Sequence, residues 1–458
     1  MERLLLSPVM PKNILKISER KNLVLRHIKR WLVPGIGIKR WILVVLLGTM
    51  LIALAASVLV VGAYRESNAN WFINILSFAS LSFLPRAFRA ALLGITGLAL
   101  LVFGLWGMNR SFLKPFMKPG LEVFDAISAY RKLEKGPRIV AIGGGTGLST
   151  LLRGLKLHTH KITAIVTVAD DGGSSGEIRK NLGILPPGDI RACLAALAND
   201  EALLSQVFQY RFGERAGVNG HSLGNLFISA LTDITGSFEG AVAESARVLA
   251  VRGQVMPSTL HDVKLVAEIQ RQGQEKITRV IGESRIPQAE GTIKRLWLEP
   301  GNPLPFPPAI QEVLNADLII LGPGSLYTSI LPNLLVPDLG DAIRASKALK
   351  FYISNIANQH GETDDYTAVD HIHVIEKHLG QIHFDVILCN CDLDIELPKG
   401  VQAVLPDEAL EEQYSVYFAE LADTENPWRH DSKRLAETIM DLYQERTGPL
   451  VKKEPVNG

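Results

Sequence analysis

The chain has 458 residues, 47% hydrophobic and 21% charged, with a formal net charge of +1. That length holds two or three domains, or one large domain with an extension, and near-neutrality excludes a nucleic-acid binder working by bulk basicity. The charge is uneven: residues 1–40 carry ten Lys or Arg against two Glu, a net of +8 that leaves the remainder at −7. Cys193, Cys389 and Cys391 are too few for a disulfide framework and wrongly spaced for a zinc ribbon. They read as small core residues in a reducing compartment.

Residues 41–61 run 21 positions without a charge, long enough for a helix to cross the hydrocarbon core, and 90–108 run another 19. The 14-residue apolar stretch 71–84 ends at Pro85 and reads as interfacial, or as a kinked continuation of the second span. Ten basic residues precede the first span, seven follow the second by position 138, and three lie in 62–89. Retention of positive charge in the cytoplasm predicts a two-helix transmembrane hairpin over 41–109 with both ends inside. The expected location is the cytoplasmic membrane, multi-pass, with the N-terminus and soluble domain in the cytoplasm. A signal peptide would start earlier and be shorter.

Residues 1–40 are then a basic cytoplasmic segment and 110–135 a linker with an amphipathic helix over 121–135. Residues 136–447 form the soluble domain, and 448–458 a polar, disordered tail. Within 136–447, strands are predicted over 138–142, 162–168, 317–321, 351–354 and 384–388. Helices are predicted over 148–157, 190–211, 222–234, 238–250, 325–333, 338–347, 364–379 and 432–446. This alternation predicts an α/β fold, a Rossmann-like parallel sheet with helices on both faces. Short strands in 254–300, separated by Gly and Pro, read as a smaller β-rich insertion.

The first strand runs into Gly143-Gly144-Gly145-Thr146-Gly147, directly ahead of a helix. Glycines admit a phosphate to the backbone, and the helix start offers free N–H groups. The loop has neither the spacing of a dinucleotide fingerprint nor the lysine of a P-loop. The second strand ends in Asp170-Asp171-Gly172-Gly173-Ser174-Ser175-Gly176. Its carboxylates suit a ribose, a Mg²⁺ held by Asp170 and Asp171 beside a phosphate, or a plain capped helix start. Gly173, Ser174 and Ser175 suit a second anion nest, with Arg179 on the next turn. In "LPPGDIR", Asp189 reads as a helix cap ahead of Arg191. "NGHSLGN" is a polar loop in which His221 is more often structural than catalytic. Gly322-Pro323-Gly324-Ser325 repeats the strand-to-helix geometry as a second cradle, and Asn355 and Asn358 follow the next strand. No G-x-S-x-G, H-E-x-x-H or cysteine–histidine metal spacing occurs.

Together "IGGGTGLSTLLRGLK", "TVADDGGSSGEIR", "PPGDIR", "GNL" and "LGPGSLYTSILPNLLV" resemble the YvcK/CofD-like family, once catalogued as gluconeogenesis factors, over about 136–447, and the YvcK branch within it. The resemblance implies a Rossmann-like domain with a smaller appended subdomain. It implies a ligand site lined by Gly143, Gly144, Gly145, Thr146, Gly147, Asp170, Asp171, Asn225, Gly322, Gly324 and Ser325, with Arg429 of a C-terminal "RHD" element pairing with phosphate. The YvcK branch binds UDP-sugars such as UDP-N-acetylglucosamine and supports cell shape and wall synthesis on gluconeogenic carbon, so cell-wall machinery is an implied partner. CofD is a 2-phospho-L-lactate transferase acting on a nucleotide-activated phospholactate and a deazaflavin. An NAD-binding regulator is the third reading. No nucleic-acid partner is expected, and the oligomeric state, a homo-oligomer included, stays open. The first 120 residues depart from the typical soluble member.

Overall fold

A computed structural model describes residues 39–63, 84–113, 133–199, 206–213, 220–271, 276–392, 397–406 and 408–448. The expected basic segment before 39, the stretch 71–83, the amphipathic helix over 121–132 and the tail from 449 lie outside the described residues. The chain divides into two compact units, Met1–Ala129 and Tyr130–Gly458.

The first unit pairs helix α1 (Lys39–Ala63) with helix α2 (Arg86–Leu113). Each contains a stretch long and apolar enough to cross a membrane, Trp41–Val58 and Ala90–Met108. Glycines let the two backbones touch. A Cβ on Gly48 would lie 2.8 Å from the Leu101 nitrogen, and one on Gly107 2.4 Å from the Trp41 ring. Close approach through small residues is how helices associate where apolar surroundings remove the hydrophobic drive. The outward faces stay apolar, with Leu43 66% and Ile95 69% exposed.

The second unit is built round central strands, Ile139–Gly143, Ile162–Val166 and Leu318–Leu321, that are buried along their whole length, as in a sheet covered on both faces. Strand β1 (Ile139–Gly143) is followed by helix α3 (Gly145–Leu155), and strand β2 (Ile162–Val166) by helices α4 (Gly173–Leu182) and α5 (Gly188–Leu197). Helices α6 (Leu223–Thr235) and α7 (Phe238–Val248) lead to β3 (Gln254–Pro257). Strands β4 (Lys264–Gln270), β5 (Ile277–Ile281) and β6 (Thr292–Glu299) form a separate antiparallel sheet, order β5-β4-β6. Then come α8 (Pro307–Asn315), β7 (Leu318–Leu321), a π-turn (Leu326–Ile330) running into α9 (Leu331–Leu334), and α10 (Pro337–Ala345). Strand β8 (Leu349–Ile353), α11 (Ala368–Leu379), β9 (Val386–Asn390), α12 (Glu408–Gln413), β10 (Val416–Ala419) and α13 (Ser432–Thr447) complete the unit.

The parallel sheet has the order β10-β9-β8-β7-β1-β2-β3. This is the expected α/β fold, with corrections in detail. Gln254–Pro257 belongs to the main sheet, pairing with β2, so the insertion begins only after it. Strand β10 and helices α4 and α8 carry too short an apolar pattern to announce themselves. The helix expected over 190–211 ends at Leu197, and that expected over 325–333 starts as a π-turn in which the Ser325 carbonyl accepts from the Ser329 and Ile330 N–H groups at 3.0 and 2.9 Å. Pro332, which has no N–H to give, sits just beyond.

Candidate functional site

Strands β1, β2 and β3 step one way from the centre of the sheet, and β7 to β10 step the other way. The reversal lies between β1 and β7, where loops leave in opposite directions and open a crevice at the carboxyl edge. Both glycine loops leave from this point. They line a cavity of ≈ 620 Å³ with Thr150, Thr167, Asp170, Asp189, Glu283, the 355–360 segment and Trp428-Arg429-His430.

The first loop is held by contact. A Cβ on Gly144 would meet the Asp189 Oδ2 at 2.6 Å, and one on Gly147 the Pro323 carbonyl oxygen at 2.5 Å. Gly145 has φ +63°, which favours glycine. The α3 N-cap, Gly144, offers no side chain to the first-turn N–H groups. The Asp189 carboxylate accepts from the Gly145 N–H, while the Thr146 and Gly147 positions face the cavity at the start of the helix, the arrangement that suits an anion.

The second loop is clamped by Asn355. Its Oδ1 accepts from the Gly324 N–H at 3.2 Å, and its Nδ2 donates to the Gly324 carbonyl at 2.9 Å. Buried Asn333 ties the two loops from below, donating to the Gly143 and Ser329 carbonyls at 2.9 and 2.8 Å.

Three carboxyls face this anion site. Burial pushes Asp170 up, and pushes Asp189 up to about 6, helped by the charge of Asp170. Glu283, on the turn Glu283–Arg285 between β5 and β6, is pushed up to about 8 by burial and then by Asp170, Glu362, Asp189 and Asp171. A raised carboxyl pKa means the folded state holds a proton that the unfolded state releases. Stability therefore falls as pH climbs from the ordinary glutamate range to about 8 and levels off above it. Glu283→Gln, measured by thermal unfolding in chelator, is expected to match wild type near pH 4 and to gain progressively in Tm up to about pH 8. A difference that does not change with pH would refute this.

The sequence-predicted site residues divide. Gly144, Gly145, Thr146, Gly147, Asp170, Gly324, Ser325 and Arg429 line the cavity; Gly143 and Gly322 form the strand ends behind it. Asp171 turns away: its Oδ1 accepts from the Ser284 N–H at 2.9 Å, pinning the insertion. Arg179 turns the same way, to the Val263 carbonyl and Asp262. Gly173 begins α4, and Ser175 bonds Asp170. Ser174 and Asn225 join a buried network outside the cavity. Asn225 accepts from Arg191 Nε at 2.9 Å and donates to Ser174 Oγ at 3.0 Å, which meets His221 Nδ1 at 2.9 Å. His221 in turn reaches Glu177 at 3.3 Å. Asp189 is a cavity carboxylate rather than a helix cap. In the "RHD" element Asp431 caps α13 through the Lys433 and Arg434 N–H groups, leaving Arg429 to the cavity. Glu283 lies 39 positions before Gly322 and more than a hundred after Gly176, and no local pattern signals it.

Among the described residues no three His, Cys, Asp or Glu side chains cage a cation by themselves. The donor chemistry nonetheless fits Mg²⁺: Asp170 and Asp189 supply hard oxygens at the edge of an anion site, and phosphate and water would complete the shell.

Residues 139–447 match the family model of the 2-phospho-L-lactate transferase CofD. The gluconeogenesis factor of Bacillus subtilis is 46% identical over 318 residues, covering 68% of this chain and 99% of its own. A relative from Clostridium acetobutylicum is 40% identical over 436 residues, 91% of this chain and 93% of its own. The second match, at 91% of this chain, is too long to lie within Tyr130–Gly458 and reaches into the N-terminal unit, so that relative shares at least part of the extension. The crystal structure of a UPF0052-family protein from Bacillus halodurans, 43% identical, superposes with a TM-score of 0.62 over 67% of this chain and 99% of that one. The fold, the paired cradles and these matches agree that the chain belongs to the CofD/YvcK family, among its gluconeogenesis factors.

Proposed function

We propose that the protein holds a nucleoside-diphosphate sugar of the UDP-N-acetylglucosamine kind and acts as a membrane-anchored regulator of cell shape and wall synthesis during gluconeogenic growth. One observation carries the reading: two glycine cradles meet, Gly147 against Pro323, over the switch point of a parallel sheet. Two adjoining anion sites suit a diphosphate better than a single phosphate. Arg429 is the one permanent cation among the described residues lining the cavity, and its guanidinium suits a phosphate oxygen pair. Asp170 and Asp189 would hold Mg²⁺, which when bound offsets the diphosphate charge. The protein's own part is to fix the phosphates on backbone N–H groups and to separate them from its carboxylates.

Thermal-shift titration with UDP-N-acetylglucosamine, GDP and NAD tests the ligand, since stabilisation follows ligand concentration over Kd. No response to any UDP-sugar would sink the reading. An NAD response would favour the dinucleotide alternative, and Mg²⁺-dependent nucleotide release in the presence of a deazaflavin the transferase one. Arg429→Ala is expected to weaken UDP-sugar and pyrophosphate alike by roughly 10–100-fold, the worth of a charge-assisted hydrogen bond. Calorimetry checks it, and loss for the sugar conjugate alone would remove Arg429 from the phosphate.

The anchor is the hairpin α1–α2, with both ends in the cytoplasm. The full chain is expected to stay in the pellet through a sodium carbonate wash, and release into the supernatant would contradict insertion.

A further inference from the structure

One wall of the cavity is built from the segment after β8 and the turn before α13, continuous with Asn355 and Arg429. Asn358 sits in it with a fixed amide: Nδ2 donates to the Tyr366 carbonyl at 2.9 Å, and Oδ1 is buried with no donor among the described residues. His430 is 7% exposed. Burial keeps its ring neutral, and Nε2 is likewise buried with no partner among the described residues. Both residues line the cavity, and Trp428, 38% exposed, stands beside them at its rim. A buried acceptor left without a donor is costly, and native proteins rarely keep two in one wall.

We propose that this wall is the subsite for the non-phosphate end of the ligand, a ring whose O–H or N–H donors go to Asn358 Oδ1 and His430 Nε2 while its face lies on Trp428. The inference rests on the nucleotide-sugar reading and adds the polarity of the ring: it must bring donors. An apolar ring, or one presenting only acceptors, would seal both acceptors away from water unpaired, the strongest form of discrimination a small pocket has. Sugar hydroxyls and a base imide N–H are the two sources of that chemistry.

Calorimetric titration of the full chain in lipid nanodiscs with Mg²⁺ separates them, using pyrophosphate, UDP, N3-methyl-UDP and UDP-N-acetylglucosamine. In His430→Phe and Asn358→Leu the advantage of UDP-N-acetylglucosamine over pyrophosphate is expected to shrink by about tenfold or more, with pyrophosphate binding unchanged. A loss between UDP and its sugar conjugate assigns the donors to the sugar. A loss that N3-methylation reproduces in the wild type assigns them to the base. A buried histidine is hazardous to replace, so nitrogen-15 NMR of wild-type His430 gives a second reading: Nε2 is expected to move upfield on saturation as it accepts a hydrogen bond. An unchanged advantage in folded variants, or a motionless Nε2 signal on saturation, overturns the proposal and leaves the phosphate reading intact. Failure of pyrophosphate to bind the wild type overturns both.

Discussion

Gly147→Ala is expected to lower affinity for a UDP-sugar by about 100-fold or more, while the neighbouring Gly143→Ala leaves it nearly unchanged. The added Cβ at 147 would sit 2.5 Å from the Pro323 oxygen, 2.8 Å from its carbonyl carbon and 3.0 Å from the Gly324 nitrogen. All three are backbone atoms of the opposite cradle, so no side chain can swing aside. The loops must part, and a displacement of about 1 Å in a positioning element is enough to cost a hundredfold. Overpacking of this kind also destabilises by roughly 1–3 kcal/mol. At Gly143 the nearest atom to the added Cβ is Leu148 Cβ at 3.7 Å, an ordinary contact. Parallel calorimetry and thermal unfolding of the two variants check this. Equal binding by both would mean that the cradles do not act as one site.

Asp189→Asn is expected to move stability and binding in opposite directions. In the empty protein at pH 7.5 the carboxylate is ionised, buried and repelled by Asp170. Asparagine keeps an acceptor for the Gly145 N–H and removes the charge, so Tm rises, by an amount on the order of 1–3 kcal/mol in stability. On the proposed Mg²⁺ reading the ion would lose one of the two carboxylates that hold it, so the gain in ligand affinity on adding Mg²⁺ is expected to fall by at least about tenfold. Asp171→Asn is the control, because Asp171 is committed to the Ser284 N–H. It is expected to loosen the insertion and to leave the Mg²⁺ dependence in place. If Asp171→Asn rather than Asp189→Asn abolished the Mg²⁺ dependence, the carboxylate assignment made from the cavity would be wrong.

These two predictions show where reading the chain succeeds and where it stops. Continuous β-branched runs such as Ile139–Gly143 and Ile162–Val166 are legible because a strand covered on both faces must be apolar throughout. The cradles are legible because phosphate binding concentrates glycine at a strand-to-helix crossing. Which glycine is indispensable is not legible. Gly143 and Gly147 are the same letter, and only the approach of a loop nearly 180 positions away distinguishes them.

The same holds for the carboxylates. Two adjacent aspartates at a strand end look like a pair, yet the peptide bond between Asp170 and Asp171 sends their side chains apart, one into the cavity and one to the insertion. The partner that Asp170 acquires instead, Asp189, and the third carboxyl, Glu283, arrive through the fold of α5 and of the antiparallel insertion. The sequence by itself determined the layers, the two apolar helices and the two glycine loops at the strand ends, because these follow from periodicity and from local backbone freedom. Tertiary structure alone decided which carboxyls meet, which serine and asparagine are spent in the Arg191–Asn225–Ser174–His221 network, and that Asn358 Oδ1 and His430 Nε2 have no partner among the described residues. Those are facts about distance through space, and side-chain partners distant in the chain leave no mark on the residues between them.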